Sequence, residues 1–260
     1  MRIMTFNLLF DGGKNNRFPW EMRRDLVVRI IERYGPHILG TQEGMKRQLE
    51  YLRDRLAPEY AMVTRGRNWD DTSQYPTLFY RTDAFALLEA GEFWLSKTPE
   101  IHLSKDWGSG FPRMMSYGVF RNNSTGRDFL SLVTHLDHIS DEARLEQAKI
   151  IGRWLASHSE PAVVMGDFND KPGSVVHGIL TREYRAMIDA WQALSLPESE
   201  LSMTRHDGAG NPKKCRMDWI LVSPDFTVLR AEIIRDNEGG LYPSDHYPCL
   251  VELKGWGSNL

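Results

Sequence analysis

Cysteine is nearly absent, with only Cys215 and Cys249 in 260 residues. Two cysteines cannot build a disulfide framework, so free, buried thiols in a reducing compartment are the plain reading. A single bridge stays open, because pairing depends on a geometry that sequence does not give. Positive charge is also not in surplus: 32 Lys and Arg stand against 35 Asp and Glu, a net charge of −3. That balance argues against holding nucleic acid by bulk charge. Only short basic clusters occur, Arg23-Arg24 and Lys213-Lys214 with Arg216. No apolar run approaches the roughly 18 residues that span a membrane. The stretch Ile3-Met4-Thr5-Phe6 is too short and too polar-flanked for a signal peptide, so a cytoplasmic protein is expected. Neither Cys-x-x-Cys nor His-Glu-x-x-His spacing is present, which removes the usual zinc sites. No repeat, low-complexity tract or Pro/Ser linker divides the chain, and residues 1–260 read as one domain.

What is present is an ordinary globular balance, 41% apolar and 26% charged. Residues 2–6 form an expected strand running into Asn7 and a loop with Asp11-Gly12-Gly13. Leu26, Val27, Ile30, Ile31 and Tyr34 recur at helical spacing from Glu21 to Tyr34, and Gly35-Pro36 stops that helix. A short buried strand, 38–41, leads into Gln42-Glu43, and a second helix carries Met45, Leu49, Leu52 and Leu56 on one stripe. Strands are then expected at 60–65, 77–81, 84–94, 114–121 and 129–134. The long loop 97–112 carries Trp107 and Phe111, and loops of that length are usually functional or mobile. A helix over 141–157, a strand at 161–165, a helix near 174–181 and strands at 217–222, 226–234 and 247–253 complete the chain. Helices interleave with consecutive strands, so the sheet must be mixed. About a dozen strands are too many for one open sheet, and two packed sheets with outer helices are the economical solution.

The informative pattern is positional. Apolar strands stop, again and again, at a residue that chemistry can use: Phe6 then Asn7, Thr41 then Glu43, Thr134 then His135, Gly166 then Asp167 and Asn169. Met217-Asp218 and Asp245-His246 do the same at strand edges. A polar group where strand meets loop is held rigidly yet reaches ligand. Glu43, Asp245 and Asn7 are oxygen donors that suit Mg²⁺ or Mn²⁺ better than zinc. A carboxylate such as Asp167 can deprotonate water. Asn169 can donate to a phosphate oxygen, and imidazoles can stabilise growing charge. These types together suit hydrolysis of a phosphoester.

Each piece also has a duller reading. Glu43 could cap the adjacent helix, Gly-Asp-Phe-Asn-Asp could be a plain Asx turn, and His135, Asp137 and His138 could be a solvated patch. Ion pairing is the expected fate of Arg81, Asp83 and Arg216. Phe85, Phe93 and Trp94 read as core, whereas Trp107 and Phe111 carry a higher functional expectation. Arg17, Phe18 and Trp20 are placed near a pocket mouth by proximity alone. His37, His102, His158, His177 and His206 receive no role.

In order, Thr5-Phe6-Asn7, Gln42-Glu43, Thr134-His135, Gly166-Asp167-Phe168-Asn169, Arg216-Met217-Asp218-Trp219-Ile220 and Ser244-Asp245-His246 resemble the endonuclease/exonuclease/phosphatase superfamily. Leu78-Phe79-Tyr80-Arg81 also looks like the family's strand after the second helix. The resemblance implies a DNase I-like α/β fold, a four-layer sandwich of two packed mixed sheets flanked by helices. By the same resemblance Glu43 is the principal metal ligand, with Asn7 beside it and Asp245 close by. Asp167 would activate water, Asn169 would bind phosphate or nucleophile, and His246 would contact phosphate. Asp218 would orient an imidazole, either His246 or His135. Arg113 lies where the family often places a phosphate contact. The expected activity is Mg²⁺-dependent (or Mn²⁺-dependent) hydrolysis of a small or single-stranded phosphate ester, with a nuclease on DNA or single-stranded RNA as the alternative. A non-catalytic phosphate binder is the reading from another class, and it lacks its mark, the loss of metal or water-activating groups. No partner protein is implied.

Overall fold

The computed structural model describes residues 1–12, 18–64 and 66–255. Gly13 and Arg17, both named above, lie outside the described residues.

Strand alternation builds the architecture. In β1 (Arg2–Asn7) Ile3 points one way while Met4 and Phe6 point the other, as the two-residue period requires. Met4 and Phe6 pack under helix α1 (Trp20–Tyr34) and helix α2 (Lys46–Leu56), against Val27, Ile31, Leu49 and Leu52. Ile3 faces a second sheet. There β7 (Asp128–His135), β8 (Ala162–Asp167) and β12 (Asp218–Val222) repeat the pattern. Phe129, Val133, Val163, Met165, Ile220 and Val222 face the first sheet, while Leu130, Leu132, Val164 and Leu221 pack with Ala148, Ile151 and Leu155 of helix α3 (Asp141–Ala156). Three apolar layers therefore separate four structural layers: helices, sheet, sheet, helices. Both sheets bury both faces, which is why their central strands read as nearly continuous apolar runs.

The first sheet has the order β13-β14-β1-β2-β4-β3, with β2 (Ile38–Gln42), β3 (Tyr60–Met62), β4 (Thr77–Arg81), β13 (Thr227–Ile233) and β14 (Cys249–Lys254). The second has the order β5-β6-β7-β8-β12-β9, with β5 (Phe85–Trp94), β6 (Met114–Asn122) and β9 (Ile188–Asp189). Each is mixed, and each contains one parallel pair: β1 with β2, and β7 with β8. The two pairs end at the same edge of the sandwich. A two-stranded ribbon, β10 (Arg205–His206) with β11 (Pro212–Lys213), stands beside that edge. Gly40 packs directly against the second sheet: a Cβ there would lie 2.5 Å from Met165 Sδ, so any side chain would force Met165 to move.

The expected two-sheet sandwich is the observed one. Most element limits agree within a residue or two. The strand expected at 60–65 closes at Met62, although Val63 still donates to Leu78 O at 2.8 Å. The helix near 174–181 is helix α4 (Val175–Gly178) running into a π-helical turn, Ile179–Glu183. β9, β10 and β11 have two residues each and went unread, because two residues carry no periodicity. Among the described residues no helix is long and apolar enough to cross a membrane.

Candidate active site

Following each inward-facing row to its end gives the site. Ile3 and Thr5 lead to Asn7; Val133 leads to His135; Val163 and Met165 lead to Asp167; Val222 and Ile220 lead back to Asp218. Each chemical residue is the last member of a row that faces the opposite sheet, so all emerge in the seam between the two sheets. Register makes this tight. His135 pairs with Asp167 across the parallel ladder, and Asp218 pairs with Asp167 across the antiparallel one. Gly166 allows that register: its φ is 157°, and a Cβ there would stand 2.1 Å from Thr134 O.

The contacts join both sheets. The Asn7 amide donates from Nδ2 to Glu43 Oε1 and to Asp167 Oδ2, both at 3.1 Å. Its Oδ1 accepts from Leu9 N at 3.0 Å. Glu43 Oε2 accepts from Phe10 N at 2.9 Å, so its carboxylate turns into the seam; the first residue before α2 is Met45, and Glu43 is not its cap. Asp167 Oδ1 accepts from Asn169 N at 2.9 Å, an Asx turn that coexists with the site. Asn169 Nδ2 lies 3.0 Å from both His135 Nε2 and Leu136 O. His135 Nε2 is 3.4 Å from Asp167 Oδ2. The undecided imidazole partner is settled by distance: His246 Nδ1 meets Asp218 Oδ2 at 2.9 Å, and its Nε2 lies 3.8 Å from Asp167 Oδ2.

Glu43, Asp167, Asn169, His135, Asp245, His246 and Arg113 line one open cleft of about 860 Å³, while Asn7 and Asp218 are buried behind these groups. Its backbone is strained. Leu9, Glu43, Asn169 and Lys214, all lining it, have φ between 50° and 66°. Asn tolerates the left-handed region, but Leu, Glu and Lys adopt it at a cost that the surrounding packing must offset.

Burial sets the charge states. Asp167 is pushed up to about 7, by removal from water and then by the neighbouring Asp218 carboxylate. Burial opposes a charge on His246, yet Asp218 and Asp167 outweigh it and raise this imidazole to about 10. His135 goes the other way, far below its ordinary value, through burial and then the positive charge of Arg113. One imidazole is thus a cation and the other neutral.

The donor set fits a hard cation. Glu43, His135 and Asp167 offer ligand atoms within 4.8 Å of one another, as do Asp167, Asp218 and His246. In the second set a charged imidazole already bridges the carboxylates, which leaves the first as the better cation site. Asp245 lines the cleft with its buried Oδ1 lacking any hydrogen-bond partner. Clustered carboxylate oxygens with one unsatisfied suit a hard divalent cation.

Several expectations need correction. Of the expected solvated patch only His138 is exposed: His135 is buried, and Asp137 is fully buried and accepts four hydrogen bonds. Trp20 belongs to the helix-side core rather than the pocket mouth, and Phe18 does not line the cleft. Trp107 stands under Lys97 Nζ, away from the cleft, whereas Phe111 lines it. Arg23 belongs to no surface cluster. Fully buried, it donates to the carbonyls of Leu8, Leu9, Phe18 and Pro243, joining the two loops that carry Phe10 and Asp245. Arg81 and Asp83 form an exposed ion pair, and Arg216 a buried one with Asp189, as expected. His138, expected only in a solvated patch, also lines the cleft, as do Gln74, Arg205 and Lys214. These last three are loop or ribbon residues without periodic context, and only the short basic word Lys213-Lys214 hinted at one of them.

Comparison with known proteins agrees with this geometry. The model of the endonuclease/exonuclease/phosphatase family matches residues 4–246, and the chain belongs to that family. Its fold is similar to that of an endonuclease/exonuclease/phosphatase from Bacteroides vulgatus, at 32% identity and TM-score 0.88 over 98% of both chains. It is also similar to the mannosyl-6-phosphatase of Bacteroides thetaiotaomicron VPI-5482, at 29% identity and TM-score 0.85, covering 98% of this chain and 99% of that one. The human Nocturnin catalytic domain shares the fold at 21% identity and TM-score 0.76, covering 98% and 94%.

Proposed function

We propose that this chain is a divalent-metal-dependent hydrolase of small phosphate esters, a phosphatase or phosphodiesterase, with phosphorylated sugars the favoured substrates. The observation that carries the reading is the row Asp218, His246, Asp167 meeting Asn7 and Glu43 in one cleft. Similarity to a mannosyl-6-phosphatase along nearly the whole of both chains supports the sugar, and the net charge of −3 supports a small substrate over duplex DNA.

In this reading Glu43 would be the principal ligand of Mg²⁺ or Mn²⁺, with Asp167, His135 and Asp245 around it and Asn7 holding the Glu43 carboxylate; the bound ion would offset charge on the phosphate or the leaving oxygen. Asp167 takes a proton from the attacking water, and Asn169 orients the nucleophile or a phosphate oxygen. His246, held charged by Asp218, presents Nε2–H to the phosphate as negative charge grows. Neutral His135 shares Asn169 and keeps its tautomer fixed. Arg113 meets the phosphate from the opposite wall. Water attacks in line, the bond from phosphorus to the ester oxygen breaks, and that oxygen takes a proton from His246 to leave as the alcohol, while the proton taken by Asp167 passes to solvent.

Phosphate release from a panel of sugar phosphates, nitrophenyl diesters and oligonucleotides, with Mg²⁺ and with Mn²⁺, tests this. Sugar phosphates should turn over fastest. Exposed Phe111, stacked on His138 at 5.8 Å, favours a single-stranded nucleotide as the second reading. Faster, steeply salt-sensitive cleavage of oligonucleotides would establish that alternative. Phosphate binding without release under either metal would leave only a binder.

A further inference from the structure

Asp137 performs no chemistry in the mechanism above, yet it is among the most constrained side chains in the molecule. It is fully buried. Oδ1 accepts from Ser109 Oγ at 3.0 Å and Gly110 N at 2.9 Å, and Oδ2 accepts from Ile139 N at 2.9 Å and Ser140 N at 2.7 Å. Arg113 Nε stands 3.7 Å from Oδ1. The main chain of Asp137 is also held: its N–H donates to Gln147 Oε1 at 2.9 Å, and its carbonyl accepts from Arg144 at 2.8 Å.

We infer that Asp137 is a positioning residue that clamps the loop between β5 and β6 against the start of α3, and so aims Arg113 and His138 into the phosphate cleft. The inference rests on the proposed hydrolase reading and adds to it a residue that touches no substrate. Three observations carry it. Three backbone N–H groups and a guanidinium face the carboxylate, on both of its oxygens, so an acceptor at each position is needed to satisfy the pocket. Arg113, itself buried, has Asp137 as its nearby counter-charge and rests against His138, whose Nδ1 lies 3.0 Å from Nη2. The loop and the turn that Asp137 joins supply Phe111, Arg113 and His138, one whole wall of the cleft.

Asp137→Asn is the informative change. It is isosteric, but its NH₂ must face either the N–H groups of Ile139 and Ser140 or that of Gly110, which splits the clamp. Because Arg113 contacts phosphate before and during reaction, its misplacement weakens binding throughout. In the full-length protein with Mg²⁺, KM for a turned-over phosphate ester and the inhibition constant of inorganic phosphate should each rise about tenfold, while kcat changes less than about threefold. Arg113→Ala should do the same, and adding Asp137→Asn to it should move KM no further, since both act through one guanidinium. Ser140→Ala removes the bond from Ser140 Oγ to Trp107 O and the N-cap bond it accepts from Ala143 N but leaves the Asp137 carboxylate and its backbone donors intact. It should lower the melting temperature without moving KM. If Asp137→Asn does not fold, Ser109→Ala, which removes one donor, should raise KM two- to threefold. An unchanged KM in the folded variant, or effects of Asp137→Asn and Arg113→Ala that multiply, would overturn the inference. A wild-type protein inert toward every phosphoester would instead refute the hydrolase reading, and the two failures are distinguishable.

Discussion

In the proposed mechanism one carboxylate and one imidazole take the largest part. Asp167 sits at about 7 because burial and Asp218 disfavour its charge; a carboxylate near neutrality is a stronger base than one in water yet still ionises. Asp167→Ala and His246→Ala should each lower turnover at least ~10²-fold, with the circular dichroism spectrum of the folded protein retained. Activity within a few-fold of wild type in either purified variant would remove that residue from the mechanism. Asp218→Asn should follow His246→Ala in direction, because the amide no longer stabilises an imidazolium. Nearly all these residues were legible, since each stands where an apolar run stops. Asp137 and Arg23 were not. Both lie in polar words that suit a surface, and only tertiary contacts reveal that one accepts four donors and the other spans three segments.

Elements place these residues through register. The inward rows of β1, β7, β8 and β12 end in the seam, so a slip of one residue would turn Asn7, His135, Asp167 or Asp218 toward the helices. Gly166→Ala tests the tightest point. Its Cβ would meet the backbone of β7, so the variant should lose several kcal/mol in urea unfolding or fail to fold, whereas an unchanged midpoint would contradict the packing. The ribbon β10–β11 carries a pH dependence. His206 Nδ1 accepts from Gly208 N at 3.1 Å and Gly210 N at 3.2 Å, and burial holds this imidazole down to about 4. The unfolded histidine takes a proton near 6.5, so its stabilisation is present above that pH and is lost as pH falls from 6.5 toward 4. At pH 5 the loss amounts to about 2 kcal/mol. Urea unfolding at pH 7 and pH 5 should show a larger fall for wild type than for His206→Asn, and equal falls would refute it. The central strands and three helices were readable because their apolar periods are long. The ribbon was not, since its two-residue strands exist only through pairing with each other and with the Asp245–Tyr247 segment.

At the scale of the whole molecule, the four-layer sandwich explains why so many distant segments meet. Two sheets packed face to face, each with a parallel pair pointing to the same edge, gather residues 7 to 246 into one cleft. Composition limited the partners, and the ordered words anticipated the family. Neither specified the leaving group, because the walls that would recognise it come from loops. One assay bears on the proposed hydrolase most directly: phosphate release from mannose 6-phosphate by the purified protein, followed after chelation by EDTA and after readdition of metal. Turnover should vanish with chelator and return with Mg²⁺ or Mn²⁺, and it should stay at least ~10²-fold lower in Asp167→Ala whatever metal is added. Release that persists undiminished in EDTA, or that survives in Asp167→Ala, would contradict it.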